Sequence, residues 1–504
     1  MSQNSSRQNI VLSRRQFLAA GGLLMGSAMG CGRLDTLDPA GLLATPWRRP
    51  ASPVGPFVAP LGDAIDPIRH VLDRLAFGPR PEDYGAVQGL ANDPREAAAR
   101  YVEHQLHPER IEDPLADWAV RRLETLDDPP GLLFEFKPEV LLDELTRGSL
   151  LRAVYSRRQL YEVMVHFWSD HFNIDASKGD CKWLKPADDR DVVRRHALGN
   201  FSDLLRASAL SPAMLWYLDG RVNRRASDDE QPNENYAREL LELHTLGVHG
   251  GYSQRDVMEI ARCLTGWTVL SEDTFGKGEV EFQSHLHDDS AKTVLGREIP
   301  AGGGASDLDR VLDIVAHHPS TARHLAIKLC RRFIGEQPDE ATVDGVAETF
   351  RTSRGDIRET LRTVFASEAF QTSKGRKLKR PFRYLVSALR ATGAETDGGE
   401  RLQRFLLSMG HAPFQYPTPD GYTDDTSPWL GTLLWRWNLA VALADGRLPG
   451  TTLDLPRLSA DFEGRDNLHR HLLGRRARPE EAVAGGSPAM DIALALASPA
   501  FQRH

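Results

Sequence analysis

From Pro67 onward, apolar positions recur at helical spacing along most of the chain. Tyr161 to Phe172 carries Val163, Met164, Phe167, Trp168 and His171 on one long apolar helix face. Pro232 to Leu246 predicts a second helix, stopped by Gly247 where a left-handed residue is wanted. Ser253 to Asp256 reads as a capping box opening a third helix, with Val257, Ile260, Ala261 and Leu264 at i, i+3, i+4 and i+7. Pro319 begins a fourth, with Ala322, Leu325, Ala326, Leu329 and Phe333 on one side and Gly335 after it. Further helical windows lie near residues 139–157, 338–352, 355–367, 381–392 and 428–444. The one β-like interval runs from Thr268 to Leu295, where Val280–Phe282 and Thr293–Leu295 are expected to pair as a hairpin. No period of 20 to 50 residues stands out, which argues against a solenoid. The pattern predicts an all-α fold: a large multi-helix domain with a small β-hairpin insertion near 275–296.

The first thirty residues break this pattern and change the charge. They hold Arg7, Arg14 and Arg15 and no acid, so the formal net charge of −8 becomes −11 once those three cations are removed. Ser13-Arg14-Arg15-Gln16-Phe17-Leu18 resembles a twin-arginine export signature, followed by an apolar run from Phe17 to Gly30 that is too short to span a bilayer as a helix. Cys31 follows Ser27-Ala28-Met29-Gly30, a sequence similar to a bacterial lipoprotein cleavage site with Ala28 where Leu is preferred. Residues 31–62 are rich in Pro, Ala and Gly and read as an extended tether. The expected organisation is a signal segment over 1–30, this tether, and one helical domain over 63–504. The expected address is the periplasm or cell envelope of a bacterium. Beyond Cys31 only Cys181, Cys263 and Cys330 remain, enough for at most one disulfide, and Cys263 and Cys330 fall in apolar helical patterns as buried thiols. At 504 residues and 41 % hydrophobic content, the chain is neither a disordered protein, nor a disulfide-stapled miniprotein, nor a polytopic membrane protein.

Several segments carry a family resemblance. Asn233-Glu234-Asn235-Tyr236-Ala237-Arg238-Glu239-Leu240-Leu241-Glu242-Leu243-His244-Thr245-Leu246-Gly247, then Gly251-Tyr252 and Leu264-Thr265-Gly266-Trp267, resemble the bacterial family catalogued as domain of unknown function 1800. His70 to Pro79 is similar to the family's opening, and Phe167-Trp168 with His171-Phe172-Asn173 to its next block. His287-Asp288, Lys292 to Gly296, His318 to Ala322, Lys328-Leu329, Lys379-Arg380-Pro381-Phe382 and Pro419-Asp420-Gly421-Tyr422 continue it, over roughly residues 64 to 445. The resemblance implies little about activity.

Candidate chemistry concentrates in the middle of the chain, where ten of the seventeen His lie between His166 and His324. On the helix predicted over 232–246, Asn235, Glu239 and Glu242 fall within about 60° of one another, beside an apolar stripe of Tyr236, Leu240, Leu243 and Leu246. A carboxylate at such a boundary needs a compensating cation or metal. Glu239 and Glu242 are therefore either metal ligands or an acid–base pair, or members of a structural network neutralised by Arg238 and Arg262. His171 is either a core histidine or a ligand. His244 lies nearly opposite Asn235 and cannot join Glu239 unless the backbone departs from helix geometry. His285, His287, Asp288 and Asp289 cluster in the β-like interval, and a set of His171, Glu239, Glu242 and His287 would suit zinc, iron or manganese. Lys374 to Arg383 holds six cations and is expected to be a solvated face, with internal pairing to acids or binding of an anionic group as alternatives. Exposed Trp could stack on sugars, whereas Trp168 and Trp267 belong to core patterns.

Walker, dinucleotide, His-Glu-x-x-His, Cys-x-x-Cys and Gly-x-Ser-x-Gly motifs are absent. Nucleic acid is excluded as a partner by the acidic balance and the export signature. Two readings remain. One is an exported metal-dependent hydrolase or oxidoreductase with a His/Glu site and a transition-metal cofactor. The other is a non-catalytic helical binding or scaffold protein for an envelope partner or polysaccharide. Both require the twin-arginine export machinery as a partner.

Overall fold

A computed structural model describes residues 57–504 apart from 228, 272–275, 463 and 482–485. Arg14, Arg15, Cys31 and most of the tether lie outside the described residues. The fold is mainly α-helical, with three two-stranded antiparallel sheets among the described residues. None of the described helices is long and apolar enough to cross a membrane.

Nine helices position the site described below: α1 (Pro67–Leu75), α2 (Pro138–Tyr155), α3 (Gln159–His171), α4 (Asn235–Glu239), α5 (Gln254–Cys263), α6 (Pro319–Phe333), α7 (Pro381–Ala391), α8 (Glu400–Ser408) and α9 (Leu433–Ala444). Their starts follow local rules. Pro occupies the first turn of α1, α2, α6 and α7, where its missing N–H leaves no intrahelical bond unmade. Ser253 and Asp256 form the expected reciprocal capping box of α5.

Helix α7 runs through the centre, with all eleven of its residues buried against α2, α8 and α9 among others. A helix buried all round must satisfy its polar side chains internally. Tyr384 donates to the carbonyls of Arg436 and Leu496 at 3.0 and 3.2 Å, Ser387 to that of Phe77 at 2.6 Å, and Arg390 to those of Gly78 and Val154 at 2.7 Å each.

Two expectations change. The predicted helix over 232–246 is α4 followed by a π-helical turn, Leu240–His244, closed by a Thr245 hydroxyl donating to the Leu240 carbonyl at 2.6 Å. Gly247 stops it with φ of 84°, as expected. The β-like interval forms two hairpins rather than one. Strand β1 (Trp267–Val269) pairs with β2 (Val280–Phe282), and β3 (Lys292–Val294) with β4 (Arg297–Ile299). The reason is local: Leu295 and Gly296 both take positive φ, 48° and 77°, making the two-residue turn that folds β3 directly onto β4. The third pair, β5 (Glu395–Thr396) with β6 (Thr451–Thr452), bridges distant parts of the chain.

Candidate functional site: a charged interior cavity

The four residues expected to share a metal do not converge. His171 on α3 is fully buried in an aromatic layer with Phe167, Trp168, Phe172 and Phe201, and its Nε2 donates to the His244 carbonyl at 3.1 Å. His287 is held in another network. Its Nδ1 lies 2.9 Å from the Thr265 carbonyl, and its Nε2 lies 3.3 Å from an Asp307 carboxylate that also pairs with Lys292 at 2.6 Å. Glu239 and Glu242 stay at the core boundary, as expected. Burial and then the neighbouring Glu242 push the Glu239 carboxyl up. Arg238 reaches Glu242 at 3.6 Å and Glu234 at 2.7 Å. Arg262 takes no part there and pairs with Glu259 and Asp288 instead, at 3.0 and 2.7 Å. Among the described residues no three His, Cys, Asp or Glu side chains are placed to hold a metal ion. The proposed ligand set is therefore not assembled: His171, Glu242 and His287 are each engaged by separate partners.

The π turn does take the backbone off helix geometry, but it carries His244 into the core against Phe172, with ring centroids 5.0 Å apart. Neither ring nitrogen of His244 has a hydrogen-bond partner, and burial pushes the imidazole down to about 3. Cys181, Cys263 and Cys330 are all free and buried, and burial raises each thiol to about 12.

The largest departure from expectation concerns the basic run. Lys377, Lys379, Arg380 and Arg383 are buried rather than solvated, because the run leads into the central helix α7 and backbone carbonyls receive part of its charge. Arg383 donates to the carbonyls of Asp73 and Ala76 at 2.8 and 2.5 Å. Arg74 on α1 donates to those of Phe333 and Ser373 at 2.8 and 2.6 Å.

Between these groups lies a small polar cavity of about 10 Å³, room for about one water molecule, lined among others by His166, Arg332, Lys377, Arg380, His411 and Asp424. A second space of about 20 Å³ shares His166 and His411 and adds Ser169, Asp170, Asn173 and Tyr422. Three cations from two segments meet the Asp424 carboxylate: Arg332 of α6 at 3.2 Å, and Lys377 and Arg380 of the basic run at 3.4 and 3.7 Å. Arg380 also pairs with Asp170 at 2.5 Å and donates to the Tyr422 carbonyl at 3.2 Å. Asp424 and Tyr422 lie in the irregular segment 411–426, which Gly421 brings against α3.

The electrostatics follow from burial and crowding. Burial pushes Lys377 down to about 8. Burial, then the guanidiniums of Arg332 and Arg74, drive Arg383 far below its usual range. His166 and His411 are held neutral by burial and by the cations around them. Burial opposes charge on Asp424, yet Lys377, Arg332 and Arg380 hold its carboxyl well below the usual range. On Asp170 burial prevails over Arg380 and Arg332 and the carboxyl is pushed up. Four lining cations, Arg332, Lys377, Arg380 and Arg383, thus face two carboxylates, and the buried Nε of Arg332 has no hydrogen-bond partner.

Asp170, Arg332, His166, His411 and Asp424 were not among the sequence candidates. A signal existed: His166 and Asp170 are polar interruptions of the apolar α3 segment, and Lys379–Phe382 and Pro419–Tyr422 carry the family resemblance. A family model described as "Protein of unknown function (DUF1800)" matches residues 70–503. The chain belongs to that family. The DUF1800 match passes the resemblance limit near 445 and takes in every cavity-lining residue named above. No curated protein and no solved structure matches the chain.

Proposed function

We propose that this DUF1800 member is an exported cell-envelope protein that binds an oxyanion group, such as phosphate, sulfate or carboxylate, at the charged cavity between α3, α6, α7 and the 411–426 segment, which must widen from its water-sized volume to admit the group. The excess of buried cations over carboxylates around that cavity carries the reading. A buried guanidinium that lacks a full complement of acceptors is costly, and an anion supplies both charge and acceptors. The neutral imidazoles of His166 and His411 could then donate or accept a proton beside the bound group. Export rests on the Ser13–Leu18 signature and the apolar run behind it. This favours the binding-protein alternative over the metal-dependent one.

Titrating the purified exported protein with inorganic phosphate, sulfate and acetate at low salt tests it. The expected result is saturable calorimetric binding of one equivalent and a rise in melting temperature with ligand concentration. Lys377→Met is expected to weaken that binding at least about tenfold, the loss of one partly desolvated charge–anion contact. Absence of binding up to about 100 mM of each anion overturns the proposal, since such weak affinity gives no meaningful stabilisation.

A second reading, hydrolysis using Glu239 as acid, is favoured by its raised carboxyl beside Glu242. Loss of turnover of an envelope polymer in Glu239→Gln, at unchanged melting temperature, would support it. Loss of folding in that variant would assign Glu239 to the structural network instead.

A further inference from the structure

Helix α9 departs from the usual surface. Its buried side is made by Arg436, Leu439, Ala440 and Leu443, yet its solvent side is also mainly apolar, with Asn438 as its one exposed polar side chain between Leu433 and Asn438. Leu434, 69 % exposed, stands at the centre of that side, with Leu433 and Trp437 on one flank and Trp435 on the other at 100° per residue. Leu430, 52 % exposed, continues the patch onto the preceding 3-10 turn, Ser427–Thr432. The only charge between Ser427 and Asn438 is Arg436, which points inward to Thr432 and Gln502 at 2.9 and 2.8 Å.

We propose that this face pairs with the same face of a second copy of the chain. Two observations select that occupant. The five side chains expose on the order of 500 Å² of apolar surface, so that twofold pairing buries about 1,000 Å² before any rim is counted, the lower bound for a specific interface. Two copies of a chain with net charge −8 repel over most of their surfaces, and this uncharged patch lets them meet without opposing like charges. Aromatic and aliphatic side chains with charge excluded are also the composition of homodimer interface centres. A bilayer surface fits less well, because interfacial helices surround their apolar face with free Lys and Arg, whereas residues 427–438 expose none and the neighbouring Arg401 is engaged over the Phe405 ring that meets Trp435.

Sedimentation equilibrium of the purified exported protein from about 1 to 100 µM tests the pairing. The wild type is expected to be dimeric, and Leu434→Asp with Trp437→Ser is expected to weaken association at least about 100-fold, as for loss of a central hot spot. Both positions are solvent-facing, so circular dichroism and melting of the diluted variant should match the monomeric wild type. The milder Leu434→Ala should give an intermediate dissociation constant. A wild type that stays monomeric throughout, including one that co-sediments with phosphatidylcholine vesicles, overturns the proposal. So does a dimer that survives the double substitution with unchanged affinity.

Discussion

Histidine in this protein is mostly an interior residue, and its protonation couples to folding. Burial pushes His70, His244 and His471 from 6.5 down to about 3. Between those values the unfolded chain binds protons that the folded chain refuses. Stability is therefore fully present above about 6.5 and falls as pH decreases toward 3, by about 1.4 kcal/mol per pH unit for each histidine once the unfolded state is protonated. Urea midpoints measured at pH 7, 6, 5 and 4 should decline with a slope of several protons, and a flat response down to pH 5 would contradict the burial of these rings. At this scale sequence reading succeeded where side-chain polarity and helical phase suffice: Glu239 and Glu242 at the core boundary, Cys263 and Cys330 as buried thiols. It failed for Lys377, Lys379, Arg380 and Arg383. What buries them is a set of carbonyls and carboxylates up to 310 residues away, which local periodicity does not encode.

Helices with a helical apolar period were legible as elements, with or without a capping signal: α3, α5, α6 and α7 fall within a few residues of their predicted spans. The misses involve backbone rather than hydrophobicity. A π turn uses the same apolar residues as an α-helix, so Leu240–His244 was invisible until tertiary packing selected the wider turn. The 411–426 segment has no period to read, and its placement depends on one glycine. Gly421 has φ of 70°, and a Cβ there would stand 2.1 Å from the Asp170 carbonyl oxygen. Gly421→Ala is accordingly expected to cost more than about 2 kcal/mol, from strained φ plus a backbone clash. Its companion effect is tighter anion binding, because displacing the segment withdraws the Asp424 carboxylate from Arg332, Lys377 and Arg380 and leaves those cations to the anion. Urea denaturation and phosphate titration of the same variant check both.

At the scale of the described unit, residues 501–504 pack back onto segments far away in sequence. The peptide groups of Lys377 and His504 exchange hydrogen bonds at 3.2 and 2.9 Å, and Lys379 donates to the Gln502 carbonyl at 2.8 Å. Lys379 also lies 3.8 Å from the centroid of the Phe501 ring, and Gln502 accepts from Arg436. Deleting residues 501–504 is expected to lower stability by more than about 4 kcal/mol, since a buried aromatic and several buried donors lose their partners together. Thermal unfolding of the truncated chain measures it, and an unchanged melting temperature would refute the closing role. The same closure has a consequence for biosynthesis. Asp73 receives the His504 imidazole across 431 positions, and Arg69 donates to the Leu472 carbonyl across 403. At translation rates of about 5–20 residues per second, α1 leaves the ribosome roughly 20 to 90 s before its final partners exist. Its arginines must stay hydrated through that interval, so the charged interior assembles only after residues 472–504 have been synthesised.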